Sequence, residues 1–228
     1  MPSQPQTDRF AMQVDCYTVF PAGPTGLYNP AMNTLTTRDK LIAAMADALQ
    51  RKGLHGVGLN ELLTHAQAPK GSLYHHFPGG KTELAVAAIE HIGNGIDAFF
   101  AQLFARHPEP LEAMRRWLHN TLQQLENSQF ERGCPLATVA LESSPEDVAI
   151  RAALAGCFAR LRAALAAQLS NVGFAAEPAE NFATLFVSLY EGGLLQARVA
   201  GSREPLVRAS DALFELIRHY PREKRHEA

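Results

Sequence analysis

Residues Gly53–Leu84 read GLHGVGLNELLTHAQAPKGSLYHHFPGGKTEL. Leu59 to His65 is a short helical run with Leu62 and Leu63 facing inward, and Gln67-Ala68 is a tight break. Pro69 suits the first position of the next helix, where its missing N–H is no loss. That helix is expected to run to Phe77, with Leu73 and Phe77 four apart on the inner face and Pro78-Gly79-Gly80 as its stop. Lys70, Ser72, Tyr74 and His75 then lie outward or along the rim, and Lys81 opens the following helix at the same edge. Gly71 carries no side chain, so the start of the helix can approach another surface closely. Two short helices joined by so short a turn form helix-turn-helix geometry. The outward residue types are those that bind phosphate, base edges and thymine methyls. Taken singly, Tyr74 could be half-buried packing, one of His75 and His76 could turn inward, and both lysines could be ordinary solvated ones. The pattern as a whole favours a DNA-facing surface.

Upstream, Thr36 or Thr37 can cap a helix that carries Leu41, Met45, Ala48 and Leu49 on one face and ends at Gly53. Between Thr34 and Lys81 there are six basic residues (Arg38, Lys40, Arg51, Lys52, Lys70, Lys81) and three acidic ones (Asp39, Asp47, Glu61). That segment is therefore +3 within a chain of net charge −2. Charge is segregated in the sense that DNA binding requires. A globally basic coat protein is disfavoured by the pI of about 6.5.

Downstream the texture stays helical. The 228 residues include 36 Ala and 28 Leu but only 10 Val and 6 Ile, a bias toward helix over strand. Apolar stripes at helical spacing run through Leu84–Leu103, Leu111–Leu125 and Leu154–Leu169. A short helix is expected after Pro135, long ones from Pro145 and from Glu180 to Ala200, and a last one from Glu204 to Tyr220. The reading is an all-α fold of about nine helices. It comprises a helix-turn-helix domain over 34–80 and a second helical domain over 81–228. Residues 1–33 hold five prolines and no amphipathic period, so a disordered arm is expected there, with Met32 as a plausible internal start.

Several classes are excluded or disfavoured. The three cysteines, Cys16, Cys134 and Cys157, form no CxxC pair, so neither a disulfide framework nor a zinc ribbon is read, and a reducing cytoplasm fits. The apolar run from Phe182 to Leu195 is broken by Glu191 and is too short to span a bilayer. No signal peptide is read, and no membrane partner. No HExxH, GxSxG or P-loop occurs. The GNGIDA at Gly93–Ala98 sits in a helical pattern with no preceding strand, so it is not a dinucleotide site and marks a bend or close packing instead. No enzyme activity, cofactor or metal is therefore expected.

The KGSLYHHFPGGK core at Lys70–Lys81, with GLNELL at Gly58–Leu63, resembles the DNA-binding head of TetR/AcrR-family transcriptional regulators. The GLNELL and the extra glycine of PGGK at Pro78–Lys81 resemble the LmrA/YxaF branch, and GCPLATVALE at Gly133–Glu142 is consistent with the family toward the C-terminus. The resemblance implies DNA-contacting roles for Lys70, Gly71, Ser72, Tyr74, His75 and Lys81. It implies a homodimeric repressor that grips a palindromic operator in double-stranded DNA and is released by a small-molecule effector, with 81–228 as its ligand-binding and dimerisation domain. Two positions depart from the pattern. Gly58 stands where many relatives carry a capping Ser or Thr, and Gln67 where many carry the turn glycine.

In the body, Trp117, Cys134, Phe158, Phe182, Phe186 and Tyr190 are candidate walls of an effector pocket, although core packing explains the aromatics equally well. Leu189, Gly192, Gly193, Leu195, Leu213, Phe214 and Ile217 on the last two helices are candidates for the dimer interface. Cys134 precedes the helix-opening Pro135 and lies near Arg132. A lowered thiol pKa is expected there, which would suit an apolar or electrophilic effector. A redox or electrophile sensor, or a thiol enzyme using Cys134, is the alternative reading.

Overall fold

The computed structural model describes residues 35–222, and among these there are nine α-helices and no strand. They are α1 (Thr37–Lys52), α2 (Leu59–His65), α3 (Ser72–His76), α4 (Gly80–Arg106), α5 (Pro110–Asn127), α6 (Pro135–Glu142), α7 (Val148–Asn171), α8 (Ala176–Ala200) and α9 (Glu204–His219). The arm expected over 1–33 lies outside the described residues.

Local chemistry sets the helix ends. Thr36 Oγ1 accepts the Asp39 N–H at 3.2 Å, Asp39 sits in the first turn of α1 and Arg51 and Lys52 in the last, all in the sense of the helix dipole. α8 begins at Ala176 rather than Glu180 and takes Pro178 into its first turn, where a missing N–H is no loss. Two further expected starts are displaced. α3 begins at Ser72 rather than Pro69, because the Pro69 carbonyl accepts both the Ser72 N–H (3.0 Å) and the Ser72 hydroxyl (2.7 Å) and closes a separate turn. α7 begins at Val148 rather than Pro145, because Asp147 Oδ2 accepts the Ser144 N–H and hydroxyl at 2.8 and 2.9 Å. In both places proline serves a turn that precedes the helix.

Two apolar cores share their longest members. The first joins α1–α3 to Leu84, Ala88, Ile89 and Ile92 of α4, Leu136 and Val139 of α6, and Ile150, Leu154 and Cys157 of α7. The second joins Phe99, Phe100 and Leu103 of α4 to α5, to Leu161, Leu165 and Leu169 of α7, and to α8 and α9. The head's core thus extends well past residue 80. α4 is continuous through its glycines, and Gly93 marks close packing, not a bend. A Cβ there would lie 2.5 Å from Cys157 Sγ and 2.6 Å from Arg160 Nη2. By length and composition α4 is apolar enough to cross a membrane. Its apolar side chains are instead divided between the two cores.

Candidate functional site

The head is built around α3. Leu73 and Phe77 are buried, which turns the other side of this one-turn helix outward. Lys70, Gly71, Tyr74 and His75 are exposed, while Ser72, His76 and Lys81 are half-buried at the rim. Tyr74, at 62% exposure, is a large aromatic ring held out from the surface. A Cβ on Gly71 would meet nothing within 4 Å, so packing within the chain does not require glycine there. The break before α3 turns on Gln67, whose φ of 51° is left-handed. The Ala66 and Ala68 N–H groups close it onto the Leu62 and Leu63 carbonyls at 2.8 and 3.0 Å.

Ion pairing sorts the basic residues of the head. Arg51 pairs with Asp47, Lys52 with Glu61 at 2.6 Å, and Arg38 lies 5.2 Å above the Phe77 ring. Lys40, Lys70 and Lys81 have no ion-pair or hydrogen-bonding side-chain partner among the described residues. Two of these three lysines flank α3 directly.

A cavity of about 70 Å³ lies beneath the head, walled by α1, α4, α5, α7, α8 and the loop that leads into α6. Of the expected pocket residues, Trp117, Cys134 and Tyr190 line it. Trp117 stacks on Tyr190 at 4.4 Å between centroids and meets the Phe100 edge at 4.8 Å. Phe158, Phe182 and Phe186 do not line it. Phe182 packs on Phe174 and Tyr220, Phe186 is fully buried between Trp117 and Phe214, and Phe158 lies against both cores.

The expected low-pKa thiol is not formed. Burial pushes the Cys134 thiol well above its ordinary value, and the neighbouring Glu191 carboxyl pushes it further. Desolvation outweighs the start of the short helix α6. Sequence reading did not count Glu191 as a site residue. Its carboxyl lines the cavity, burial raises its pKa to about 7, and its Oε2 is buried without a hydrogen-bond partner. The signal was present in the sequence, because Glu191 is the lone charge in the apolar run Phe182–Leu195.

Head and cavity share a wall. Gln50 of α1 lines the cavity and donates from Nε2 to the Gly133 carbonyl at 3.3 Å. Arg132 donates to Gln50 Oε1 at 3.4 Å and faces Asp47 of α1 at 3.6 Å. At the far end of α6, the Glu142 carboxylate accepts the Leu54 and His55 N–H groups just past α1. The loop between α5 and α6 contains Gln129 and Phe130, both left-handed at φ 54° and 63°.

The dimer candidates separate into two sets. Leu213, Phe214 and Ile217 are buried in the chain's own core. Gly193 is where α8 and α9 of one chain approach, since a Cβ would lie 2.7 Å from Leu206 Cδ1 and 3.1 Å from its Cα. Gly192 faces open space, Leu189 is half-buried and Leu195 is exposed. Leu185, Val199 and Leu216 extend that outer apolar surface, Val199 being 82% exposed.

Comparison with known proteins agrees with this architecture. Residues 41–88 match the family described as bacterial regulatory proteins, tetR family. Residues 110–212 match the C-terminal domain of LmrA/YxaF-like transcriptional regulators. The chain is 31% identical to the HTH-type transcriptional regulator YxaF of Bacillus subtilis over 80% of its own length and 95% of that protein's. It is 28% identical to LmrA of the same organism, over 80% and 97%. Among solved structures, a TetR regulatory protein from Rhodobacter sphaeroides superposes with a TM-score of 0.69 at 26% identity, covering 78% of this chain and 97% of that one. NemR of E. coli in its reduced form gives 0.67 at 26%, covering 78% and 95%. A helix-turn-helix head on a helical body, matched along both parts, places this chain in the TetR family of transcriptional regulators, in its LmrA/YxaF-like branch.

Proposed function

We propose that the chain is a cytoplasmic repressor that binds a palindromic operator as a homodimer and is released by a small molecule in the cavity beneath the head, without catalysing a reaction. The observation that carries the reading is the α3 edge, where unpaired Lys70 and Lys81 flank an outward Tyr74 and a Gly71 that internal packing does not require. Lysines supply phosphate contacts, Tyr74, His75 and Ser72 reach toward the groove, and Gly71 allows the close approach. The dimer surface is assigned to the outer face of α8 and α9, through Leu185, Leu189, Gly192, Leu195, Val199 and Leu216. A two-fold axis there sets two copies of α3 roughly 34–36 Å apart, one DNA turn.

Release follows from the shared wall. A ligand that displaces Arg132, Gly133 and Gln50 disturbs the hydrogen bonds that hold α1 on the body. Moving the dimer from 99:1 in favour of the DNA-competent state to 1:99 takes a differential affinity of about 5.5 kcal/mol. The rival reading, Cys134 as a sensing or catalytic thiolate, is opposed by the raised thiol pKa.

The test is fluorescence anisotropy on DNA flanking the chain's own gene, against scrambled DNA, across a salt series. Selective binding that weakens steeply with salt is expected. Gly71→Ala should cost at least ten-fold in operator affinity with an unchanged melting temperature. Lys70→Ala should reduce the salt slope by about one. Equal affinity for scrambled DNA, on genomic fragments as well, would overturn the reading.

A further inference from the structure

We propose that the cavity takes a compact organic cation, an ammonium or amidinium on a small apolar body, with Glu191 as its counter-ion and an aromatic wall that includes Trp117 and Tyr190. The inference rests on the effector-cavity reading above and adds the ligand's chemistry. The buried Oε2 of Glu191 has no hydrogen-bond partner, and a carboxylate there lacks a donor. Its neighbour Cys134 offers only a weak thiol donor. No Lys, Arg or His among the described residues pairs with it, and Arg132, the one basic residue of the wall, is engaged by Asp47 and Gln50. A ligand N–H bearing positive charge supplies both the missing hydrogen bond and the missing charge.

The rest of the wall agrees. Phe99, Phe100, Trp117 and Tyr190 put aromatic rings into the wall, and aromatic rings attract cations. An anion would meet Glu191 and an occupied Arg132. The volume of about 70 Å³ suits an alkylammonium of a few heavy atoms. The titratable and charged groups facing the cavity are Glu191 and Tyr190 of α8, Cys134 before α6, and Arg132 of the loop; α1, α4, α5 and α7 contribute none to its wall.

Trp117 is the only tryptophan, so its fluorescence reports occupancy. Isobutylamine, isobutanol and isobutyrate share one apolar body and carry positive, zero and negative charge. At pH 8 the amine should bind at least ten-fold more tightly than the alcohol, with isobutyrate weakest. Glu191→Gln should reduce the amine to the affinity of the alcohol. On the unaltered chain, the amine's affinity should rise several-fold from pH 6 to pH 8 as Glu191 ionises, while the alcohol's stays flat. That arm needs no variant that might misfold. Alcohol or isobutyrate binding as tightly as the amine, a preference that survives Glu191→Gln, or no binding by any of the three overturns the inference. Anisotropy on the same samples separates the two failures, because operator binding that persists leaves the regulator reading standing.

Discussion

A carboxyl that titrates near pH 7 in the native chain, and near its ordinary value once unfolded, makes folding depend on pH. For Glu191 the native state holds the proton over a range in which the unfolded chain has lost it. Its contribution to stability therefore falls as pH rises from about 4.5 to about 7 and is least favourable above that. The difference corresponds to about 3 kcal/mol. Glu191→Gln should accordingly be more stable than the parent at pH 8, by up to that amount, and the gap should close toward pH 5. Denaturant melts at pH 5, 6.5 and 8 check it, and a variant less stable at pH 8 would show that the carboxyl has a partner in solution. At this scale the sequence was informative where geometry is local. Leu73 and Phe77 fix one face of α3, so the outward turn of Tyr74 and His75 follows from spacing. The state of Cys134 was not legible, because its burial and its carboxyl neighbour come from α8, far along the chain.

Elements show the same division. α2 occupies the expected residues, since an apolar run bounded by glycine and a polar break defines both its ends. The starts of α3 and α7 were misplaced because proline fixes the same φ in a turn as at a helix start. The choice was made by hydrogen bonds from Ser72 to Pro69 and from Ser144 to Asp147. The turn between α2 and α3 carries a correctable strain. Gln67 is left-handed, which costs an L-residue about 1–2 kcal/mol, against about 0.5–1 kcal/mol for the extra freedom of glycine in the unfolded chain. Gln67→Gly should therefore raise stability by up to about 1 kcal/mol in a thermal melt and leave operator affinity intact. Loss of stability would mean that the Gln67 side chain holds the turn.

On the scale of the molecule, the body is not a separate block beneath the head. α4 and α7 each run from one core into the other, so the head's core draws on residues beyond position 80. Sequence periodicity locates stripes but not which stripe meets which, so it could not show that Leu213, Phe214 and Ile217 would be consumed inside the chain. The outer apolar surface proposed for a second copy centres on Leu195, Val199 and Leu216. Val199→Asp should shift the protein to monomer in analytical ultracentrifugation and weaken operator binding at least ten-fold, with little change in the melt of the isolated chain. A variant that remains dimeric would move the interface elsewhere.

Gln50 belongs at once to α1 and to the cavity wall, so a ligand in the cavity touches the head directly, and linkage makes any coupling between the two run both ways. Whatever factor an occupied cavity takes from DNA affinity, bound DNA takes from ligand affinity. On the proposed repressor reading, a dimer seated on its operator is a poor detector, and the molecules diffusing free of the promoter are the sensitive ones. Induction then proceeds by draining that free pool, and extra operator sites drain it too, so with repressor in excess the threshold concentration of ligand should fall as operator sites are added and climb when they are deleted.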